Sequence, residues 1–489
     1  MRQHSRPSLV VPAAVVLLVA CATNPATGKR QLSLVSEKEE IALGQQSKQQ
    51  VLEQMGAYPD PKLQAYVESV GKKMALHSER PNLPWSFTVV DDPAVNAFAL
   101  PGGPIFITRG ILGYLNTEAE LASVLGHEIG HVTARHSVQQ MSKAQLAQLG
   151  LGVGMIVSPE LAGVGQAASA GLQLLFLKFG RDDERQADEL GFRYMVKEDY
   201  DPRQADDMFV TLKRSSDLAG GGRVPEWTST HPDPENRAEA AEKRAATVPN
   251  ADKMNVGRDV YLAHVNGIVF GDNPRQGYFQ GNSFLHPDLK FRIDFPDGWK
   301  KQNTASAVVA ASPKDDAAIQ LVPAGKMSPQ EAAQKFLSQE GVKAAQAQGS
   351  QLGALPPSSS YFEAQTQQGA VRGIASFLSH GGQTFGILSY TAPESLSGYD
   401  AAFRKTIASF GPLNDPAALA VQPAKIELVK VPRQMTLAEF NAQFPSSVPV
   451  EQVAVANGLD PKAGTFKAGE TAKRIVGGAP PASAAAPKP

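Results

Sequence analysis

TEAELASVLGHEIGHVTARH, residues 117–136, is the stretch of this sequence that says most about the fold. Thr117 followed three residues later by Glu120 is typical of a helix start, and apolar residues recur behind it at helical spacing. A helix is therefore predicted from Thr117 to about Met141. Its apolar face is formed by Leu121, Leu125, Ile129 and Val132. We expect the helix to bury this face and to leave its opposite edge open to a cleft.

Within this helix, His127-Glu128-Ile129-Gly130-His131 forms the pattern H-E-x-x-H. Side chains four residues apart differ by about 40° around a helix, so both imidazoles can bind one metal ion. Glu128 lies between their direction and the buried side, where its carboxylate can reach a water molecule on that metal. The pattern predicts a zinc site.

A catalytic zinc site needs three protein ligands and one open position. His136 is the nearest further histidine, but its spacing from His131 does not suit a ligand, so we expect it at the surface or behind the ligands. Glu184, on a helix predicted over 182–194, is the better candidate. Asp188 follows one turn later and is suited to orienting a zinc-bound histidine through its other ring nitrogen.

Thr230-His231-Pro232 precedes another predicted helix, over 233–246. Two roles are open for His231: donating a hydrogen bond to the oxyanion of a tetrahedral intermediate, or capping the zinc and holding the site idle. Arg237 could neutralise Glu184 or Asp188, or bind a substrate carbonyl. The alternative is a plain helix start with an exposed histidine.

Upstream of the motif, the pattern predicts helices over 37–55 and 61–77. A strand is predicted over 85–90, and a second over 105–108 after the turn Pro101-Gly102-Gly103-Pro104. The two strands and the turn indicate a hairpin.

Four segments, in this order, resemble the HtpX/BepA-like gluzincin peptidases, relatives of the CAAX prenyl endopeptidases. They are Asn96-Ala97-Phe98-Ala99-Leu100-Pro101-Gly102-Gly103, Leu125-Gly126-His127-Glu128-Ile129-Gly130-His131, Glu184-Arg185-Gln186-Ala187-Asp188 and Thr230-His231-Pro232. The resemblance covers roughly residues 30–245. The chain shows neither the helical repeats of BepA-like members nor convincing spanning helices, so the partners and substrates of those members do not carry over.

This resemblance implies one zinc ion held by His127, His131 and Glu184, with Glu128 as general base and acid and His231 as a further catalytic residue. It also implies that the strand containing Asn96, Ala97, Phe98 and Ala99 pairs with extended substrate beside the metal. By resemblance, the chain is a zinc-dependent endopeptidase that cleaves unfolded or extended polypeptides.

The N-terminal residues have the features of an export signal that ends in a cysteine. Basic residues precede an apolar stretch over 9–19, which closes with Leu18-Val19-Ala20-Cys21. This order resembles the lipobox of bacterial lipoproteins, in which the cysteine is acylated. We therefore expect a signal peptide over 1–20, a lipid on Cys21 and a tether over 21–36. The protein would then face the periplasm. Ala22 follows the cysteine in place of the aspartate that often retains lipoproteins at the inner membrane, so the outer membrane is favoured. An ordinary signal peptide is the alternative.

The chain as a whole is predicted to be an α+β multidomain protein. Its 489 residues suggest about three domains. The formal net charge of -1 does not point to nucleic-acid binding, which would need a basic face. The fold class is a mainly helical zincin domain with a small edge sheet, then an α+β domain and a small C-terminal module. The predicted parts after the tether are a metallopeptidase domain over 37–255, an α+β domain over 256–412, a linker over 413–424, a module over 425–476 and a disordered tail over 477–489.

The two C-terminal parts carry weaker resemblances. His286 to Phe291 and Phe295 to Trp299 resemble the opening of PsbP-like domains. Residues 425–476 resemble a degenerate LysM module, which would imply contact with peptidoglycan. Because Arg433-Gln434-Met435 stands where such modules carry Gly-Asp, a plain protein-interaction module is an equal alternative.

An apolar segment over 145–177, rich in Gly and Ala, leaves two interpretations open. We favour a helical hairpin packed on the catalytic domain over a segment that dips into a membrane, because Pro159, Glu160 and several glycines oppose a spanning helix.

For the whole protein, the sequence favours a zinc endopeptidase in envelope protein quality control or outer-membrane assembly. A non-enzymatic lipoprotein that binds peptidoglycan or outer-membrane assembly proteins is the alternative. A zinc hydrolase of a non-peptide bond would leave the substrate-pairing strand unexplained.

Overall fold

The computed structural model describes most of the chain, and these residues form two compact units. The first unit contains Gly56–Ile268 and Ile426–Ile475 with most of the N-terminal part, and the second contains Val269–Lys425. The described residues are 21–148, 179–218, 227, 231, 234–304, 306–345, 355–366 and 369–478. The predicted signal peptide, the apolar segment beyond residue 148 and the tail beyond residue 478 lie outside them.

The N-terminal part of the first unit is mainly helical. Its described helices are α1 (Glu37–Met55), α2 (Pro61–Leu76), α3 (Arg109–Tyr114), α4 (Glu118–Ala134), α5 (His136–Gln148), α6 (Arg181–Lys197), α7 (Gln204–Leu218), α8 (Pro234–Ala245) and α9 (Arg258–Val265). Its strands are β1 (Cys21–Thr23), β2 (Arg30–Leu32), β3 (Ser86–Val90), β4 (Ala97–Ala99) and β5 (Pro104–Thr108). None of the helices in the described part of the chain combines the length and apolar character needed to cross a membrane.

The small sheet of this unit corrects the predicted hairpin. Its strand order is β3-β5-β4, with β3 parallel to β5 and β4 antiparallel to it. The residues predicted as two arms of one hairpin therefore run in the same direction. The hairpin partner of β5 is β4, because Gly102 and Gly103 adopt positive φ values, 77° and 120°, and reverse the chain between these two strands.

The motif helix is shorter than predicted. Helix α4 ends at Ala134, because Arg135 takes a left-handed conformation with φ 60°, and α5 begins at the next residue. A positive φ is unfavourable for arginine, but two contacts hold it. Arg135 Nε donates to Glu40 Oε2 at 2.8 Å and its Nη2 donates to the Val35 carbonyl at 2.9 Å. Tertiary contacts therefore stop a helix that the local pattern would continue.

The environment of α4 also differs from prediction. Thr117 accepts from the Glu120 backbone N–H as expected, but the Glu120 carboxylate accepts from the Asn116 N–H rather than closing the predicted capping box. Every residue from Ala119 to Ala134 is buried, so no edge of the helix is open.

The second unit is an α+β fold, which confirms the predicted class. Its described helices are α10 (Pro329–Leu337), α11 (Leu396–Ser409) and α12 (Pro416–Ala420). Its strands are β6 (Tyr278–Gln280), β7 (Ser283–His286), β8 (Phe291–Asp294), β9 (Lys300–Asn303), β10 (Val308–Ala311), β11 (Ala317–Gly325), β12 (Val342–Ala345), β13 (Ser359–Thr366), β14 (Gly369–His380), β15 (Gln383–Thr391) and β16 (Gly411–Pro412).

Two sheets organise this unit. A seven-stranded antiparallel sheet has the order β12-β13-β14-β15-β11-β10-β9, and a four-stranded sheet has the order β16-β8-β7-β6. Phe403 and Ile407 of α11 pack in the core against Ile374 and Ile387 of the larger sheet. Helix α12 lies within the stretch predicted as a linker.

The C-terminal segment is part of the first unit rather than a separate module. Its elements are β17 (Ala424–Lys430), β18 (Met435–Thr436), α13 (Leu437–Gln443), α14 (Val450–Ala456), β19 (Thr465–Phe466) and β20 (Thr471–Gly477). Lys473 of β20 is fully buried, and its ammonium donates to the carbonyls of Gly113, Leu115 and Ala456 at 3.0, 2.6 and 2.8 Å. One lysine thus joins the C-terminal segment to the chain immediately before α4.

Candidate metal centre

Close packing of α4 against α6 brings the predicted site residues together. The two helices meet at glycines: a Cβ on Gly130 would lie 2.8 Å from the Ala187 carbonyl oxygen, and one on Gly191 would lie 2.8 Å from the His127 backbone nitrogen. Side chains at these positions would force the helices apart. The glycines therefore let α4 present its histidines directly to the carboxylates of α6.

Four side chains gather their donor atoms in one buried cluster, formed by His127, His131, Glu184 and His231. Their donor atoms all lie within 4.8 Å of one another. The Nε2 atoms of His127 and His131 are 2.9 Å apart, and each lies 3.5 Å from a carboxylate oxygen of Glu184. Tetrahedral zinc ligands at roughly 2.1 Å lie about 3.4 Å from each other. The spacing and the nitrogen and oxygen donors fit a zinc ion.

Asp188 contacts His127 as the sequence predicts. The Nδ1 atom of His127 lies 2.8 Å from Asp188 Oδ1, so its proton is donated there and Nε2 is left with a lone pair. Burial, then the neighbouring Arg237, lowers the pKa of His127 to about 3. The ring is thus neutral, the state in which an imidazole binds metal.

Arg237 contacts both carboxylates that the sequence named for it. Its Nε and Nη2 donate to Asp188 at 2.9 and 2.7 Å, and its Nη1 lies 3.0 Å from Glu184 Oε2. Burial works against ionisation of Asp188, but Arg237 and the hydrogen bond from His127 hold its pKa below the ordinary value. Both carboxylates, Glu184 within the cluster and Asp188 beside it, are therefore kept as anions.

Glu128 has an oxygen without a partner. The side chain is 1% exposed, and Oε1 has no hydrogen bond among the described residues. The nearest ionisable partner is His231 Nε2, 3.6 Å from that oxygen. Burial raises the pKa of Glu128 to about 7. A buried carboxylate oxygen with no donor is unfavourable unless a ligand or water supplies one, so its position beside the cluster indicates a role in chemistry.

His231 is buried, unlike the exposed histidine of the plain helix-start alternative. Its Nδ1 lies 3.0 Å from Glu184 Oε1 and 3.2 Å from His127 Nε2. Thr230 and Pro232 lie outside the described residues, but the His231 backbone N–H donates to the Trp227 carbonyl at 2.7 Å. The ring thus stands among the candidate ligand atoms.

His136 lies behind His131, which settles the two positions left open for it. It is buried, with its Nδ1 2.9 Å from His131 Nδ1 and its Nε2 3.0 Å from Gln186 Oε1. Burial lowers the pKa of His136 to about 4, so the ring is neutral.

Three aromatic residues around the cluster had no sequence signal. The Trp227 and His231 ring centroids are 4.3 Å apart, and the Phe179 ring stacks on His131 at 4.2 Å. Phe209 lies under the Arg237 guanidinium at 4.4 Å. Isolated aromatic residues carry no periodicity or spacing that would connect them to a motif far away in the chain.

Strand β4 is an edge strand, and its free side is defined by its bonds to β5. The Leu100 N–H donates to the Pro104 carbonyl, and the Thr108 N–H donates to the Asn96 carbonyl. Because bonding alternates along an antiparallel strand, the backbone groups of Ala97 and Ala99 face away from β5. No described strand pairs with that side of β4, along which Ala97 is fully buried and Ala99 is partly exposed.

Comparisons with known proteins agree with this geometry. Residues 61–245 match Peptidase family M48. The chain is 31% identical over 243 residues to the mitochondrial metalloendopeptidase OMA1 of Schizosaccharomyces pombe, an alignment that covers 48% of this chain and 69% of that protein. This chain belongs to peptidase family M48. The predicted resemblance to a metallopeptidase family is confirmed.

Other relatives are similar over shorter parts of their length. The chain is 29% identical over 290 residues to the beta-barrel assembly-enhancing protease of Escherichia coli (strain K12), covering 58% of this chain and 56% of that protein. It is 33% identical over 191 residues to the mitochondrial metalloendopeptidase OMA1 of Arabidopsis thaliana, covering 39% of this chain and 36% of that protein. The chain thus spans about half the length of the bacterial relative.

Among solved structures, cyanobacterial PsbP from Synechocystis sp. PCC 6803 is similar with a TM-score of 0.20 and 14% identity, covering 27% of this chain and 91% of that chain. The PsbP-like and LysM-like resemblances of the C-terminal parts stay predictions. So does the lipid on Cys21, whose backbone lies in β1 and pairs with Leu32.

Proposed function

We propose that this protein is a zinc-dependent endopeptidase that cleaves unfolded or extended polypeptides in a bacterial envelope, in protein quality control or outer-membrane assembly. The observation that carries the proposal is the buried cluster that contains His127, His131 and Glu184, with Glu128 beside it. Oε1 of Glu128 has no hydrogen bond among the described residues. Membership of family M48 supports it, as do relatives named as metalloendopeptidases and as a beta-barrel assembly-enhancing protease.

The zinc ligands in this proposal are His127, His131 and Glu184. When bound, zinc supplies a Lewis acid that polarises the scissile carbonyl and lowers the pKa of water. Asp188 keeps His127 in the tautomer that offers Nε2, and Arg237 stabilises the anionic forms of Asp188 and Glu184. The ligands are therefore oriented before the metal arrives.

Glu128 is the proposed general base and acid. It takes the proton of the attacking water and delivers it to the leaving amine. Its raised pKa suits both steps, because a carboxylate with a pKa near neutrality accepts a proton more readily than an exposed one and still releases it.

For His231 the position of the ring favours the capping role. Its Nδ1 lies among the candidate ligand atoms, where it occupies space that a substrate carbonyl needs. We infer that this conformation is idle and that the ring must move before substrate binds. Once displaced, the ring is the proposed donor to the oxyanion.

Substrate specificity in this proposal follows from β4. An extended substrate backbone would form hydrogen bonds with the backbone groups of Ala97 and Ala99. The backbone groups of Asn96 and Phe98 face β5 and keep the strand in place. Only an unfolded or extended segment can present its backbone in this way. A lipid on Cys21 would hold the site at a membrane surface. Ala22, which follows the cysteine, favours the outer membrane.

The test uses residues 22–489, produced as wild type and as Glu128→Gln. Zinc per chain is measured first, then cleavage of an unfolded protein such as casein. Zinc in both proteins with cleavage lost only in the variant supports a metallopeptidase with Glu128 as base. Zinc in both without cleavage in either would direct the next substitution to His231. A wild type without zinc would contradict the proposal and favour a binding lipoprotein.

A further inference from the structure

His136 is a buried histidine that the proposed mechanism does not use. Its ring stands between the ligand candidate His131 and Gln186, with nitrogen–nitrogen and nitrogen–oxygen distances of 2.9 and 3.0 Å. His131 thus has an imidazole behind it where His127 has the carboxylate of Asp188.

Only the break in the motif helix makes this contact. In a continuous helix, residues five apart point roughly 140° away from each other. Because Arg135 turns the chain with a positive φ, His136 begins a new helix and its ring returns to the His131 ring. The contact therefore depends on the residues that hold Arg135, Glu40 among them.

The proton positions in this chain of contacts are interdependent. His131 can offer Nε2 to a metal only if its Nδ1 carries the proton. That proton must be donated to Nδ1 of His136, whose own proton then resides on Nε2 and is donated to Gln186 Oε1. The opposite order would put a proton on His131 Nε2 and block the metal. The carboxylate of Asp183 lies 3.7 Å from His136 Nε2 and also favours a proton there. The imidazole of His136, the amide of Gln186 and this carboxylate thus select one tautomer of the ligand.

We propose that His136 is a positioning residue that, together with Gln186, holds His131 in its Nδ1–H tautomer and fixes the plane of its ring for the metal. The inference rests on the proposed metallopeptidase function. The imidazole of His136 is a neutral acceptor, so it orients His131 without placing a further negative charge against the cluster. Glu184 is already a member of that cluster, and Asp188 already contacts His127.

The experiment compares His136→Leu, His136→Asn and Gln186→Leu with the wild-type protein. Leucine removes the acceptor, whereas asparagine can place an oxygen near the position of Nδ1. Gln186→Leu leaves both histidines in place and removes the hydrogen-bond acceptor of His136 Nε2. The double variant Asp183→Ala/Gln186→Leu also removes the carboxylate 3.7 Å from that nitrogen. Zinc affinity is measured by competition with a chromophoric chelator, and cobalt-substituted protein gives the ligand-field spectrum. The unfolding temperature of the chelated protein reports packing separately.

We expect His136→Leu to weaken zinc binding roughly 10–100-fold and to alter the cobalt spectrum. His136→Asn should recover most of the affinity, and Gln186→Leu should lie between His136→Leu and wild type. Metal-free His136→Asn and Gln186→Leu should unfold below the wild-type temperature, because each leaves a buried partner without its hydrogen bond. The zinc affinities of the variants should not follow the order of these unfolding temperatures, because they depend on proton position.

Three results would overturn the inference. They are wild-type zinc affinity in His136→Leu, equal weakening in the asparagine and leucine variants, and wild-type affinity in the double variant Asp183→Ala/Gln186→Leu. The last result decides the matter if His136→Leu does not fold. A wild type that binds no zinc would defeat the proposed function as well. A wild type that binds zinc while all variants match it would defeat this inference alone.

Discussion

At the scale of single residues, the metal centre consists of buried polar atoms that are matched to one another. His127 is paired with Asp188, Asp188 with Arg237, and His131 with His136. The oxygen of Glu128 is the exception among them. A network of this kind tolerates loss of a member poorly, because the remaining partners stay buried without their hydrogen bonds.

Glu184→Ala should abolish zinc binding. The substitution removes one of three proposed ligands, and we expect affinity to fall by at least about 100-fold. Metal analysis after dialysis measures it, with Asp182→Ala as the control. Asp182 is a carboxylate in the first turn of the same helix, but its side chain is 90% exposed. Full zinc occupancy in Glu184→Ala would contradict the ligand assignment.

The pH dependence of cleavage should report the ionisation of Glu128. A general base works only when ionised, so kcat/KM falls as pH decreases below the pKa of this carboxyl. Burial raises that pKa from 4.5 to about 7, and the positive charge of a bound metal acts in the opposite direction. We therefore expect the acidic limb of the profile between these two values. A profile flat down to pH 4.5 would argue against Glu128 as the base.

At the scale of elements, the site depends on one helix pair and one strand edge. Helices α4 and α6 approach closely at Gly130 and Gly191, so ligands from two distant segments meet. Strand β4 leaves the backbone of Ala97 and Ala99 on its free side. The helices supply the chemistry, and the strand supplies the proposed contact with substrate.

Ala99→Pro should weaken substrate binding and leave the metal in place. Proline removes the N–H that faces the free edge, and losing a substrate hydrogen bond of about 1.4 kcal/mol corresponds to about a tenfold lower kcat/KM. Steady-state kinetics on an unfolded protein substrate tests this, with zinc content measured alongside. Ala99→Ser retains the N–H and serves as the control. Unchanged kinetics in Ala99→Pro would mean that β4 does not pair with substrate.

At the scale of the whole molecule, the first unit includes the segment Ile426–Ile475, which packs against residues more than 300 positions earlier in the chain. Lys473 donates to one carbonyl of α3, to the Leu115 carbonyl just after α3 and to one carbonyl of α14. Gln452 Nε2 donates to the Tyr114 hydroxyl at 3.1 Å. Burial lowers the pKa of Lys473 to about 7, and the nearby Glu120 opposes this shift. The C-terminal segment therefore stabilises the entry to the motif helix.

Lys473→Met should destabilise the first unit. The change nearly keeps the length of the side chain, but it leaves three buried carbonyls without this donor. It also removes one of the two positive charges that act on Glu120, the other being Arg258. We expect a loss on the order of 3 kcal/mol. Denaturant unfolding of the wild type and the variant measures it. Lys467→Met, an exposed lysine of the same segment, is the control. Equal stability of the two variants would show that the segment is not integral to the unit.

The sequence alone determined the features that depend on local spacing. The two histidines, the glutamate between them and the pair Glu184 and Asp188 can be recognised because helical periodicity places residues three or four apart on one face. The helix α1 and the α+β character of the second unit could be predicted for the same reason. Helices and helix faces that follow from this periodicity can be predicted without knowledge of residues far away in the chain.

Only the tertiary structure decided the rest, because each remaining feature depends on residues far apart in the chain. Glu40 and Val35 hold Arg135 in the conformation that ends α4 and turns His136 inwards. The parallel pairing of β3 and β5 depends on β4 filling the position that a hairpin arm was expected to take. Lys473 is buried only because carbonyls some 360 residues earlier receive its ammonium. Long-range contacts of this kind leave no periodic trace in the sequence, although they are strong enough to override local preference.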